Sequence, residues 1–232
     1  MTIAENIARI RANMAAAARE AGRDPKEILL VGASKMNDAA ACREAVAAGI
    51  DALGENRVQE MVQKLEQHAY DGAPLHFIGH LQRNKVKQVV GHVALIQSVG
   101  SLELLDEIEK VAAARGLVQD ILLEVNIGRE AAKSGFAPEK VLPAAEAALE
   151  RTHVRVRGLM TIPPADAQRD ANFRYFQEVQ ALYVDMNQKL FHNELEYLSM
   201  GMSGDYEDAI REGATLVRVG TALFGPRPPM HP

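Results

Sequence analysis

Short runs of apolar residues alternate along the chain with longer segments in which apolar residues recur at helical spacing. Eight of the short runs have the length and composition of buried strands, and they lie at residues 28–34, 52–54, 76–79, 94–97, 121–126, 156–161, 197–200 and 216–219. Strands that alternate with helices form βα units around a parallel sheet. The pattern therefore predicts an α/β protein built on a parallel sheet.

A separate helical pattern precedes the first predicted strand. Thr2 and Glu5 have the spacing of a capping box, and Gly22 marks the end of the helix. Between them, apolar residues recur on one helical face at Ile3, Ile7, Ile10 and Met14. We therefore predict an N-terminal helix within residues 1–22.

The helices between the strands carry recognisable start and stop signals. Such signals are Asn37 and Asp38 before a helix that Gly49 ends, Ser101 before one that Gly116 ends, and Pro138 at the start of another. A long amphipathic stretch over residues 165–191 precedes the seventh strand, and a short helix is predicted over 205–212. Caps of this kind satisfy the backbone groups that a helix leaves unpaired at its ends.

Eight strands with intervening helices in 232 residues predict a single-domain (β/α)8 barrel of the TIM type, with the N-terminal helix as an extra element. An open, doubly wound sheet is the alternative, because the same alternation serves both folds. No Gly-x-Gly-x-x-Gly follows the first predicted strand, which favours the barrel. The proline-rich residues 226–232 are predicted to form a flexible tail.

Residues capable of binding or catalysis recur at the carboxyl ends of the predicted strands. They are Lys35, Glu55, Asn56, His80, Ser98, Asn126, Thr161, Ser203, Gly204, Arg218, Gly220 and Thr221. In a barrel, all of these positions surround one bowl at the C-terminal face, which is where barrel active sites lie. This coincidence is the second argument for the barrel and the first for a functional site.

Composition narrows the classes of function. The chain is 47% hydrophobic, so it can bury a large core, and its net charge of −5 comes without a basic stripe that would bind nucleic acid. Its one cysteine, Cys42, cannot form a disulfide framework and is expected to pack as a small apolar residue. No run approaches the ~20 apolar residues of a membrane span. We expect a soluble, cytoplasmic protein with neither a nucleic-acid nor a membrane partner and no metal site.

Three features at the strand ends suggest one cofactor. Lys35 ends the first apolar run, and a lysine amine can form a Schiff base with an aldehyde. Ser203, Gly204, Gly220 and Thr221 follow the last two strands, where barrels commonly bind phosphate. Arg218 lies inside an apolar strand, and an arginine can face a pyridine nitrogen. Pyridoxal 5′-phosphate (PLP) is the ligand that needs all three.

Each feature also has an ordinary structural interpretation. Lys35 could be a surface lysine at a strand end, and Ser203 could simply cap a helix beside turn glycines. Arg218 could form a salt bridge with an acid such as Glu55. These alternatives stay open on the residues alone.

Several longer motifs resemble those of one known family. They are Gly54-Glu55-Asn56-Arg57, His76 to Lys85, Lys133-Ser134-Gly135-Phe136, Ser199 to Asp205 and Val217 to Thr221. Over roughly residues 28–225 the chain resembles the PLP homeostasis proteins, which are PLP-binding barrels related to the N-terminal domain of alanine racemase. The resemblance implies that Lys35 carries the Schiff base, that Arg218 faces the pyridine nitrogen and that Asn56 lines the cofactor ring.

Six further residues are assigned to the cofactor bowl. We expect Ser199 and Met200 to line its wall, together with Asn126, Met160 and Thr161. His80 has two interpretations, a proton carrier or a hydrogen-bonded structural group.

The resemblance implies a PLP carrier that holds the cofactor on a lysine and delivers it to apo-enzymes without catalytic turnover. A PLP-dependent amino-acid racemase is the alternative, although a racemase needs two opposed bases and commonly takes the second from another domain. A Schiff-base aldolase would explain Lys35 and the phosphate loops but not Arg218. Transfer of PLP to apo-enzymes is therefore the expected partner interaction.

Overall fold

The computed structural model of the protein describes residues 1–164 and 169–225. Its eight strands are β1 (Leu29–Ala33), β2 (Ala52–Glu55), β3 (Leu75–Phe77), β4 (Leu95–Val99), β5 (Gln119–Val125), β6 (Val154–Thr161), β7 (Tyr197–Ser199) and β8 (Leu216–Val219). Each strand pairs in parallel with the next, and β8 pairs with β1, so the sheet is a closed barrel. The predicted (β/α)8 barrel is confirmed, and the open sheet is excluded.

Nine helices surround the barrel in the part of the chain that the structure describes. They are α1 (Ile3–Glu20), α2 (Ala39–Ala47), α3 (Val58–Glu66), α4 (Val86–Val89), α5 (Leu102–Ala114), α6 (Val141–Leu149), α7 (Arg169–Leu190), α8 (Tyr206–Arg211) and α9 (Thr221–Phe224). The predicted flexible tail at 226–232 and residues 165–168 of the predicted amphipathic stretch lie outside the described residues. None of the described helices is both long enough and apolar enough to cross a membrane.

The predicted helix caps are present. Thr2 and Glu5 form the reciprocal capping box of α1, whereas the side chains of Asp38 and Ser101 accept backbone N–H groups at the starts of α2 and α5. Pro138 opens a 3₁₀ turn that leads into α6. These caps satisfy backbone donors that would otherwise be unpaired, which explains why the helices begin where the sequence places them.

Two apolar clusters fill the molecule. The smaller one lies inside the barrel and takes one residue from each of six strands, namely Val31, Ala52, Leu95, Leu122, Met160 and Leu216. The larger one lies between the barrel and the helices and includes Cys42, which is a fully buried free thiol as expected. Interior packing at this level closes the barrel below its C-terminal end.

Strand alternation then decides which polar residues share the barrel interior with this apolar cluster. On β8, Leu216 faces the interior, so Arg218 faces it too; on β1, Val31 faces the interior, and the same parity leads to Lys35 just beyond the strand. Ser34, the residue before Lys35, lies on the outer face of the barrel, where its hydroxyl contacts Glu55. The fold therefore directs Lys35 and Arg218 into the bowl.

Candidate functional site

Four predicted cofactor residues lie on four adjacent strands. Ser203 follows β7, Arg218 lies on β8, Lys35 follows β1 and Asn56 follows β2. The barrel order places β8 between β7 and β1, with β2 on the far side of β1. Since all four strands are parallel, their carboxyl ends meet on one side of the bowl.

Asn56 presents a buried acceptor in this bowl. Its Oδ1 atom is buried and has no hydrogen-bond donor among the described residues, and the residue lines a cavity of about 410 Å³. Gly79 packs so closely against it that an added Cβ would lie 2.2 Å from the Asn56 carbonyl oxygen. A buried acceptor without a donor costs about 1–3 kcal/mol, so a ligand that supplied a donor would recover that energy.

Arg218 is buried in the barrel wall and is only 3% exposed. Its Nη1 donates to the Ser199 hydroxyl, and its Nη2 donates to the Thr161 carbonyl oxygen at 2.8 Å. Burial lowers the pKa of Arg218 to about 10, against the opposing effect of Asp205 and Glu124. The guanidinium therefore stays charged at neutral pH.

The alternative of an Arg218–Glu55 salt bridge is wrong. Glu55 lies on the outer face of the barrel, where its Oε1 is 2.7 Å from the Lys64 ammonium. Arg218 lies on the inner face, with its hydrogen bonds to Ser199 and Thr161. The two residues face opposite sides of the barrel because successive residues of a strand alternate in direction.

Arg218 is the first member of a hydrogen-bond chain that crosses the barrel. The Ser199 hydroxyl, which accepts from Arg218, donates to Gln97 Oε1 at 2.7 Å. Gln97 Nε2 lies 2.9 Å from His76 Nδ1. Burial lowers the pKa of His76 to about 4, so the ring is neutral and its Nδ1 accepts the bond. This chain holds the Arg218 guanidinium in one orientation.

Sequence reasoning missed Gln97 and His76. Polar residues at alternate positions of the apolar strands β3 and β4 were the available signal, because such positions face the interior. Ser199 was expected in the bowl wall, and its side chain does face the interior. Its hydroxyl is occupied by Arg218 and Gln97, so it acts by orienting the arginine.

The loops after β7 and β8 converge on one oxygen atom. The Ser203 hydroxyl accepts from the backbone N–H groups of Gly220 at 3.2 Å and Ala222 at 3.3 Å. Nothing lies within 4 Å of where a Cβ of Gly204 would be, and Thr221 is exposed at the start of α9. Ser203 therefore joins the loop after β7 to the start of α9, because two backbone N–H groups of the second loop point at its hydroxyl oxygen.

Met200 and Thr161 do not present their side chains to the bowl, so these two predictions are wrong. Met200 is fully buried in the outer core, on the opposite side of the strand from Ser199. The Thr161 hydroxyl donates to the Val125 carbonyl oxygen at 2.8 Å and is also fully buried. The two-residue period of a strand allows only alternate residues to face the bowl.

The opposite side of the bowl carries further ionisable groups. The exposed His80 and Lys133 line the same cavity as Asn56 and Glu124. Glu124, which sequence reasoning missed within its strand, accepts from the Ser134 hydroxyl at 2.9 Å, and burial raises its pKa. The structure gives His80 no hydrogen bond that decides between its two interpretations, so its role stays a prediction.

Comparison with known proteins covers nearly the whole chain. The model of the family described as alanine racemase, N-terminal domain, matches residues 6–228. A protein of Aquifex aeolicus called pyridoxal phosphate homeostasis protein is 43% identical over 227 residues, which is 98% of this chain and 99% of the relative. A protein of the same name from Pseudomonas aeruginosa is 43% identical over 226 residues, covering 97% and 96% of the two chains.

A solved structure is also similar over nearly the whole chain. PipY of Synechococcus elongatus PCC7942, determined with PLP bound, is 32% identical and superimposes with a TM-score of 0.84. The match covers 97% of this chain and 100% of PipY.

Proposed function

Because the chain belongs to the family of the pyridoxal phosphate homeostasis proteins, we propose that it binds PLP through Lys35 and holds it for delivery to other proteins without turning over a substrate. The names of the relatives support the homeostasis role, and the PLP in PipY supports the choice of ligand. The proposal names individual residues because four candidates lie at the ends of neighbouring strands. They are Ser203, Arg218, Lys35 and Asn56.

The residues present fit this cofactor. PLP supplies an aldehyde that condenses with a lysine amine to a Schiff base. The converging N–H groups of Gly220 and Ala222 would hold its phosphate, with the hydroxyls of Ser203 and Thr221 as added donors. The unpaired Oδ1 of Asn56 would accept a hydrogen bond beside the ring.

Arg218 would face the pyridine nitrogen and make transamination an unfavourable role for the bound PLP. A permanently charged guanidinium donates to that nitrogen and keeps it unprotonated, which weakens the ring as an electron sink. The chain through Ser199 and Gln97 keeps the guanidinium in place without a carboxylate partner. This arrangement suits a carrier or a racemase better than a transaminase, so Arg218 does not by itself separate the two PLP hypotheses.

Labelling at Lys35 tests the binding proposal. After the wild-type protein is mixed with PLP and reduced with borohydride, peptide mapping should place the pyridoxyl group on Lys35. The Lys35→Ala variant should fold and bind PLP without this label, because Lys35 follows a strand and fills no core cavity. Lys87→Ala, which removes an exposed lysine of α4, is the matched control and should label like the wild type. A label on another lysine would overturn the assignment.

Transfer and turnover assays then separate the carrier from the racemase. A carrier should restore the activity of an added apo-enzyme that requires PLP, and it should leave the optical purity of added amino acids unchanged. Sustained racemisation by the wild-type protein, lost in Lys35→Ala, would replace the carrier proposal with the enzyme.

A further inference from the structure

A buried cluster of charges lies directly behind Lys35, on the outer face of β1 and β2. The ammonium of Lys64, a residue of α3 that is 5% exposed, donates three hydrogen bonds. The acceptors are the Ser34 carbonyl oxygen at 2.8 Å, Glu55 Oε1 at 2.7 Å and Glu60 Oε1 at 2.8 Å. All three donors of the ammonium are thereby used.

The cluster is costly to bury, so its presence needs an explanation. Glu55 is fully buried, and its Oε1 also accepts from the hydroxyls of Ser34 at 2.5 Å and Tyr70 at 3.0 Å, while its Oε2 has no partner among the described residues. Burial lowers the pKa of Lys64, but Glu55 and Glu60 outweigh burial and the pKa is raised. A buried ion pair is weak evidence for stability, because apolar residues of similar volume often serve as well.

What this cluster contacts is the backbone on both sides of Lys35. The peptide group before Lys35 is held through the Ser34 carbonyl oxygen, which accepts from Lys64. The peptide group after Lys35 is held through the Met36 N–H group, which donates to Glu60 Oε1 at 2.5 Å. Met36 has a φ of 63°, a left-handed conformation that a residue with a side chain rarely adopts unless its surroundings impose it.

We propose that Lys64, Glu55 and Glu60 are positioning residues that orient Lys35 toward the cofactor bowl; this inference rests on the proposed function. Ser34 follows β1 with its side chain on the outer face, and Lys35 and Met36 then form a turn that the Asn37 N–H closes on the Ser34 carbonyl oxygen at 3.1 Å. With the peptide groups on both sides held, the Lys35 Cα–Cβ bond has one direction. The amine is then confined to the bowl, which raises the rate at which it reacts with the aldehyde of PLP.

Glu60 offers the cleanest test. Glu60→Ala removes the acceptor of the Met36 N–H group and leaves the Lys64–Glu55 pair intact, and the Glu60 side chain is 19% exposed, so its loss leaves no closed cavity. Formation of borohydride-trapped pyridoxyl-Lys35 should be about tenfold slower, as expected for the loss of one charge-assisted hydrogen bond. Glu60→Gln keeps an oxygen acceptor and should be slowed only about threefold.

Asp185→Ala is the matched control. It breaks the Asp185–Lys189 pair on α7, which has the same i,i+4 spacing as the Glu60–Lys64 pair but is exposed. The control should label Lys35 at the wild-type rate. If Glu60→Ala fails to fold, the comparison of Glu60→Gln with Asp185→Ala carries the test.

Hydrogen exchange of the Met36 amide gives a readout without PLP. In the ligand-free protein this amide should be protected in the wild type and in Asp185→Ala, and it should exchange at least tenfold faster in Glu60→Ala. Failure of the wild type to label Lys35 would overturn the proposed function and this inference with it. Normal wild-type labelling together with an unchanged rate in both Glu60 variants would overturn the positioning role alone.

Discussion

Arg218 is a charged residue in the barrel wall, yet its hydrogen bonds to Ser199 and Thr161 both go to neutral groups. The acceptors are the Ser199 hydroxyl and the Thr161 carbonyl oxygen. The carboxylates of Asp205 and Glu124 raise the pKa of Arg218 through their charge, without a hydrogen bond to it among the described residues. An arginine that a carboxylate does not neutralise is a strong donor toward a neutral acceptor. A pyridine nitrogen with its lone pair free is such an acceptor.

Substitutions of Arg218 should therefore separate charge from geometry. Arg218→Glu should change the absorption spectrum of bound PLP more than Arg218→Lys, because a carboxylate favours protonation of the ring nitrogen whereas lysine keeps a positive donor with poorer geometry. The exposed Arg155, paired with Asp120 at the other end of the barrel, provides the control substitution Arg155→Glu. Spectra and PLP affinities that were the same for wild type and both Arg218 variants would place the arginine outside the cofactor site.

At the scale of elements, the loops after β7 and β8 act as one unit. The Ser203 hydroxyl joins the first loop to the backbone of the second at Gly220 and Ala222. In addition, Asp205 Oδ1 accepts the Met202 N–H at 2.7 Å and holds the turn that carries Ser203. A dianion placed here would meet backbone donors that are already oriented, so little ordering would be needed on binding.

We expect phosphate anchoring to supply much of the affinity for PLP. Pyridoxal, which lacks the phosphate, should bind far more weakly than PLP. Ser203→Ala combined with Thr221→Ala should weaken PLP binding by about 1.5–3 kcal/mol per charge-assisted hydrogen bond lost, while the backbone donors at Gly220 and Ala222 stay in place. Lys35 should remain reactive in this variant.

Pyridoxal itself is the matched control for the two loops, because its affinity should be the same in the wild type and in the double variant. Titrations followed by absorbance measure both ligands. Equal affinities of the wild type for pyridoxal and PLP would show that these loops do not hold a phosphate.

In the molecule as a whole, the interior of the barrel holds both an apolar cluster and a connected polar chain. The apolar cluster includes Val31 and Leu122, and the polar chain runs from Arg218 through Ser199 and Gln97 to His76. A half-satisfied polar layer would be costly in a packed interior, but a connected chain satisfies its members. The far end of that chain is a histidine that must stay neutral.

Stability should consequently fall in mild acid. The pKa of His76 is about 4 in the folded protein and near 6.5 in an unfolded chain, so the unfolded state binds more protons between these values. His76 therefore contributes stability that is fully present above about pH 6.5 and is lost as the pH falls through about 4, by up to about 3 kcal/mol. Urea unfolding at a series of pH values measures this loss.

His76→Asn places an amide oxygen near the position of Nδ1 and does not titrate, so the variant should show a shallower loss of stability over the same pH range. The exposed His92 gives the control His92→Asn, which should keep the wild-type slope. The idea fails if His76→Asn loses stability with pH as steeply as the wild type.

The sequence by itself determined the features that neighbouring residues encode. Strand number and the caps at Thr2, Asp38 and Ser101 follow from local periodicity and capping chemistry, which act over a few residues. The barrel was favoured over the open sheet by the polar residues that recur at the strand ends. Lys35 and Arg218 stood out for the same reason, since a charge at the end of or inside an apolar strand is visible locally.

Only the tertiary structure decided which partners those residues have. Ser199 and Gln97 bond across 102 positions of sequence, and Lys64 reaches 30 positions back to Ser34. Side-chain pairing at such separations depends on barrel closure and on which face of each strand is turned inward. Met200 also could not be placed from the sequence, because a buried methionine beside a site residue can lie on either face of its strand. In the closed barrel its side chain faces outward, toward the helices.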